Sequence, residues 1–228
     1  MSTELERRVA VGLAAVCARI DEACVRVRRP AGSVRLLAVS KGQGVDAIRA
    51  AHALGQRDFG ESYVQELESK ARELADLADI RFRFIGRLQR NKAKHVVAIG
   101  CAVDCVDSLA LATTLSERAA ARSSRLEVMI QVNIDREPQK AGAMPETLPE
   151  LCAAVQALPA LSLAGLMAIP RAQEDPEQAR PAFRELRRLG EQLGLRELSM
   201  GMSSDLEAAV EEGATMVRVG TAIFGPRA

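Results

Sequence analysis

The sequence predicts an α/β barrel, eight parallel strands each followed by a helix, in one domain over residues 1–228. Short apolar β-type runs alternate along the chain with amphipathic helical segments. Strands that alternate with helices pair in parallel through right-handed crossovers. The runs number eight, the count of a (β/α)8 or TIM barrel. An open doubly wound sheet is the rival. It usually carries a Gly-rich dinucleotide fingerprint after its first strand, and here that position reads SKGQGVD, without the G-x-G-x-x-G spacing.

Taken in order, the charged, helix-periodic N-terminus predicts an extra helix over 4–28. The run RLLAV sets the first strand at 34–40, and 45–54 is its helix. The second strand is 57–60, with a helix over 62–77. The run RFRFI sets the third at 81–85, followed by 88–98. The fourth is 102–106, and the helix after it, 109–121, repeats Leu109, Ala112, Leu115 and Ala119 at helical spacing. Strands five to eight are 126–133, 162–167, 197–200 and 216–219. Helices over 146–157, 176–193 and 205–212 fall between them.

Composition excludes several function classes. Lys and Arg total 31 against 30 Asp and Glu, a net charge of +1. That balance gives no electrostatic reason to expect nucleic acid, an anionic membrane or a strongly charged partner. No segment has the length of apolar residues that a membrane span needs, and the N-terminus lacks the apolar core of a signal peptide. Five scattered cysteines, an odd number in apolar surroundings, read as free thiols of a cytoplasmic protein. Cys101 and Cys105 have no second close pair or His pair after them, so no metal site is expected.

In a barrel, functional residues sit where strands end and the following loops begin. Lys41, Glu61, Asn133, Met167, the stretch 199–204 and the stretch 218–221 pass that filter. A lysine at a buried strand end can be desolvated and attack a carbonyl. Taken alone, Lys41 reads better as a side chain that snorkels to water. The stretch LSMGMSSDLEAAVEEGA runs from a short strand through a turn into a helix. Ser203 or Ser204 is the expected N-cap, with Glu207 closing a capping box. In MVRVGTAIFG the expected eighth strand carries Arg218 and ends at Gly220 and Thr221. Gly220 lets backbone approach an anion, and the Thr221 hydroxyl can donate to it. These two stretches are the loops after strands seven and eight, where barrels frequently bind phosphate. Arg218 shares a face with Met216 and Gly220, and a buried arginine calls for an acidic partner or a ligand.

With these residues assembled, the chain resembles the pyridoxal phosphate homeostasis proteins, a family of single-domain barrels that bind pyridoxal 5′-phosphate (PLP). The resemblance runs from about residue 4 to 225. It rests on LLAVSK, FGESYVQE, FIGRLQRNK, QVNI, GLMAIP and LSMGMSSDLEAAVEEGATMVRVGTAIFG. It implies a barrel like the N-terminal domain of alanine racemase. It implies PLP held as a Schiff base on Lys41, with phosphate contacts at Ser203, Gly220 and Thr221 and Arg218 facing the pyridine nitrogen. Met200, Gly201 and Ser62 complete the expected cofactor set. Ser62 replaces the usual asparagine of FGEN, Arg83 the histidine of HFIG and Arg90 the serine of LQSNK. These departures are expected to alter the pocket rim and leave PLP binding intact.

The function so implied is a PLP carrier in intracellular PLP homeostasis, a monomer without catalytic residues or turnover. Amino acids and PLP-dependent apoenzymes are the partners it suggests, with no nucleic acid or membrane. The alternatives are an amino-acid racemase-like enzyme and a class I Schiff-base aldolase. A racemase adds a tyrosine from another domain as second acid/base. The only tyrosine here is Tyr63, expected as packing or a rim contact, and no second domain is expected at this chain length.

Overall fold

The computed structural model describes residues 2–226, so residue 1 and residues 227–228 of the expected domain lie outside the described residues. A long helix, α1 (Ser2–Arg26), precedes the barrel. The repeat is then β1 (Arg35–Val39), α2 (Val45–Ala53), β2 (Asp58–Glu61), α3 (Val64–Glu73), β3 (Arg81–Phe84), α4 (Ala93–Ile99), β4 (Ala102–Val106) and α5 (Leu109–Ala120). It continues with β5 (Leu126–Val132), α6 (Leu148–Gln156), β6 (Leu161–Ala168), α7 (Arg180–Gln192), β7 (Glu197–Ser199), α8 (Leu206–Glu211), β8 (Met216–Val219) and α9 (Thr221–Phe224). The strands close in sequence order, β1 to β8, and β8 pairs back onto β1 with Leu37 opposite Arg218 and Ala38 opposite Val219. The predicted barrel with its extra N-terminal helix is the fold. The expected helix over 88–98 is split into a 3₁₀ turn, Arg90–Lys92, and α4.

Side chains alternate between the two faces of each strand. On one face Phe59 of β2 packs against Phe82 of β3 with ring centroids 6.5 Å apart, beneath the surrounding helices. On the other, the barrel interior holds two buried arginines, Arg83 and Arg218, with the fully buried Asp104 between strands β3 and β5. Arg83 donates to both oxygens of Asp104, at 2.6 to 3.1 Å, and reaches Glu127 on β5 at 2.6 Å. Arg83 is therefore part of the interior and does not belong to the pocket rim where the sequence placed it. Its position on the inward face of β3, opposite Gly60, decides this.

Helix α1 covers the seam where the barrel closes. Val9, Leu13, Val16, Ile20 and Ala23 form its buried stripe at helical spacing. Beside that stripe Arg19 clamps Glu207 of α8 with two bonds, 2.6 and 2.8 Å, and donates to the Ser203 carbonyl at 2.9 Å. Among the described residues no helix is long and apolar enough to cross a membrane.

Candidate functional site

Strand β1 runs directly into a tight turn. The Gln43 N–H donates to the Ser40 carbonyl at 2.9 Å, which makes residues 40–43 a β-turn with Lys41 at its second position. Gly42 follows with φ +71°, the left-handed value that the third position of a type II turn requires. Gly42 makes the turn possible, and Gly44 caps the start of α2. Lys41 is half-buried and has the strand parity of Leu37 and Val39, the face shared with Arg218.

The turn is held from the opposite face. Ser40 and Glu61 are fully buried, and the Ser40 hydroxyl donates to Glu61 Oε1 at 2.6 Å. Lys70, buried on α3, donates to the Ser40 carbonyl (2.7 Å), to Glu61 Oε1 (2.7 Å) and to Glu66 Oε1 (2.6 Å). The Gly42 N–H donates to the same Glu66 oxygen at 2.6 Å. Burial pushes the Glu61 carboxyl above its ordinary pKa, and the bond from Lys70 pulls it part of the way back. Glu61 was expected among the loop residues, but it turns beneath α3. Glu66 closes the FGESYVQE motif without a role being read for it, and Lys70 went unnoticed in the sequence, where its one signal was the i, i+4 spacing from Glu66.

The loops after β7 and β8 meet beside this turn. The pairing of Ala38 with Val219 brings Gly220 next to Val39, two residues before Lys41. A Cβ on Gly220 would lie 2.9 Å from the Val39 carbonyl oxygen, so glycine is needed for that approach. The Gly201 carbonyl accepts the Arg218 backbone N–H at 3.0 Å, which ties the loop after β7 to strand β8, and Met200 is fully buried. Ser203 is half-buried and Thr221 exposed.

The expected capping box is absent. Asp205 flanks α8, its carboxylate accepts the Met202 N–H at 2.6 Å, and Ser203 and Ser204 lie in the turn before it. Glu207 is turned away by Arg19, whose hydrogen bonds hold its carboxyl below the ordinary range.

Arg218 is 4% exposed, and among the described residues no carboxylate pairs with it. It donates to Ser199 Oγ and to the Ala168 carbonyl, both at 2.8 Å. A guanidinium has five N–H donors, so most of its capacity remains for a ligand. Burial lowers its pKa to about 10, with Asp104 and then Asp205 pulling the other way.

Ser62 lies one loop away. With Tyr63, Arg87, Gln89 and Lys92 it lines a cavity of about 480 Å³ between the start of α3 and the β3–α4 loop. Tyr63 is 59% exposed at that rim. Arg87 and Arg90 are exposed and precede α4, which carries only Lys94 of the basic residues in this stretch. Asn133 organises the loop after β5: its side chain donates to the Glu137 carbonyl and accepts the Glu137 N–H.

The pattern of one family, described as "Alanine racemase, N-terminal domain", matches residues 14–228. The pyridoxal phosphate homeostasis protein of Pseudomonas aeruginosa is 48% identical over 221 residues, covering 96% of each chain. A solved structure of PipY from Synechococcus elongatus, with PLP bound, superposes with a TM-score of 0.80 at 38% identity, over 92% of this chain and 100% of that one. Alanine racemase from Corynebacterium glutamicum shares the fold, at 16% identity and a TM-score of 0.72 over 97% of this chain and 61% of its own.

Proposed function

The chain belongs to the family of the pyridoxal phosphate homeostasis proteins, and from that premise we propose that it carries PLP reversibly on Lys41 and serves intracellular PLP homeostasis without turnover of its own. The observation that carries the reading is Arg218, a buried cation with, among the described residues, no carboxylate in contact and with donors to spare, below the strand end that leads into Lys41. A ligand that accepts a hydrogen bond through a ring nitrogen suits it.

When bound, PLP supplies an aldehyde that condenses with a primary amine, expelling one water, and a second amine can then take the place of the first, which is released. Lys41 would supply the amine at the barrel mouth. Arg218 would donate an N–H to the ring nitrogen. A guanidinium there opposes protonation of that nitrogen and so weakens the ring as an electron sink, which suits storage better than turnover. Gly220 would let the backbone approach the phosphate. Ser203 and Thr221 would donate hydroxyls to it, with Met200 and Gly201 behind them and Ser62 at the edge. The Ser203 carbonyl is fixed by Arg19 from α1, so the N-terminal helix steadies this side of the cradle. Tyr63, exposed at a neighbouring cavity, supports no second acid/base role. Incoming amino acids or PLP-dependent apoenzymes would then be the recipients.

The test is to incubate the protein with PLP, reduce with borohydride and map the peptides. The chain has only five lysines, Lys41, Lys70, Lys92, Lys94 and Lys140, which keeps the map simple. The expected product is a single label on Lys41, with no conversion of L- to D-alanine beyond that of free PLP. A main label on another lysine, or ready racemisation, would overturn the reading.

A further inference from the structure

We propose that Lys70 is a positioning residue for Lys41: it grips the turn from behind the barrel wall and presets the direction of the reacting amine before any ligand arrives. The inference rests on Lys41 being the capturing amine, as proposed above.

An ammonium has three N–H donors. Those of Lys70 match three acceptors, the Ser40 carbonyl, Glu61 Oε1 and Glu66 Oε1, all within 2.7 Å. Each carboxylate has a second grip on the turn. Glu61 takes the Ser40 hydroxyl, and Glu66 takes the Gly42 N–H. The residues on both sides of Lys41 are thereby fixed, one at its carbonyl and hydroxyl, the other at its N–H. Charge-assisted bonds of this kind are shorter and stronger than neutral ones.

Burial adds to the constraint. Lys70 is 4% exposed and Glu61 fully buried, so water cannot easily replace a lost partner. Glu61 Oε2 has no hydrogen-bond partner, so Oε1 alone carries the contacts with Ser40 and Lys70. The parity of β1 separates the two functions. Ser40 faces the helices and the clamp, and Lys41 continues the parity of Leu37 and Val39 on the other face. The clamp thus acts through the backbone on either side of Lys41.

A purely structural role for Lys70 would lower stability and leave the geometry of bound PLP unchanged. The experiment therefore reads geometry, as visible circular dichroism per bound PLP and as the PLP release rate, beside the melting temperature. In Lys70→Met, borohydride is expected still to label Lys41. The dichroism per bound PLP should fall at least about twofold, and release should quicken about tenfold, the scale of one charge-assisted bond. Ile130→Val, a buried change in β5, supplies a destabilised control in which neither optical signal nor release rate should move.

Glu66 gives the same test if Lys70→Met does not fold. Glu66→Ala removes the Gly42 acceptor and should reproduce the loss, whereas Glu66→Gln keeps an acceptor and should restore most of the signal. Unchanged dichroism and release in Lys70→Met, or in Glu66→Ala where that variant carries the test, would overturn the proposal. Failure of the underlying reading looks different: the wild-type chain itself would give no label on Lys41.

Discussion

Lys41→Ala is expected to abolish covalent capture of PLP and leave a folded protein. The variant should show no visible absorption band from attached PLP and no borohydride-trapped label, at any PLP concentration where the wild-type chain is saturated. Two features make the loss complete. The first is the small number of rival amines. Lys70 is buried with all its donors engaged by Ser40, Glu61 and Glu66, and Lys140 pairs with Asp135 at 2.7 Å. Lys92 and Lys94 follow β3, away from the loops after β7 and β8. The second is position. Only Lys41 stands at the end of the strand that pairs with the one bearing Arg218 and Gly220.

Folding should survive, because the second position of a type II turn accepts alanine and Gly42 still supplies the left-handed residue. Urea unfolding should move by no more than about 1 kcal/mol, the range of a substitution that opens no core cavity. A band that persists in this variant would remove Lys41 from the site.

How much of this could be read from the chain depends on the distance over which each feature is encoded. The eight strands were legible within a residue or two, because burial writes itself as local apolar runs. The loops after β7 and β8 were legible because strand ends are where barrels place ligands. What escaped is long-range. Arg19 and Glu207 are 188 positions apart, and their contact took Glu207 away from the expected capping box. Arg83 looked like a rim residue from its motif. Its interior place follows from the register of β3 against β2, which a single sequence does not display. Lys70 reads in isolation as a solvated helix lysine. Its burial depends on the carbonyl of Ser40, supplied by a different strand end. The candidate site thus divides into proposed ligand contacts at strand ends, which have local signals, and supporting residues such as Arg19 and Lys70, whose contacts have almost none.

The two interior arginines should respond in opposite ways to removal, and that contrast separates packing from function. Arg83 is 4% exposed and Asp104 is wholly buried. Burial alone would lower the Arg83 pKa, but its bonds to Asp104 and Glu127 more than offset this and hold the guanidinium above its ordinary value. Arg83→Leu strips Asp104 of its hydrogen-bonding partner inside the barrel. The expected cost is about 3–5 kcal/mol in urea unfolding, as for other buried pairs broken on one side. Replacing both residues, Arg83→Leu with Asp104→Leu, should recover part of that loss, since the pair is then removed together while Arg218 loses the pull of Asp104.

Arg218 has no such partner to strand. Arg218→Met gives up the bonds to Ser199 and Ala168 and also relieves a desolvated cation, whose pKa burial lowers to about 10. The two terms oppose each other, and the stability of the ligand-free protein should change by about 1 kcal/mol or less. Its retention of PLP should instead weaken roughly 10- to 100-fold, the value of a lost hydrogen bond from a charged donor. Unfolding and PLP titration of the two variants side by side decide the matter. A large stability loss in Arg218→Met with unchanged PLP retention would make Arg218 a packing residue and leave the barrel mouth without its ring contact.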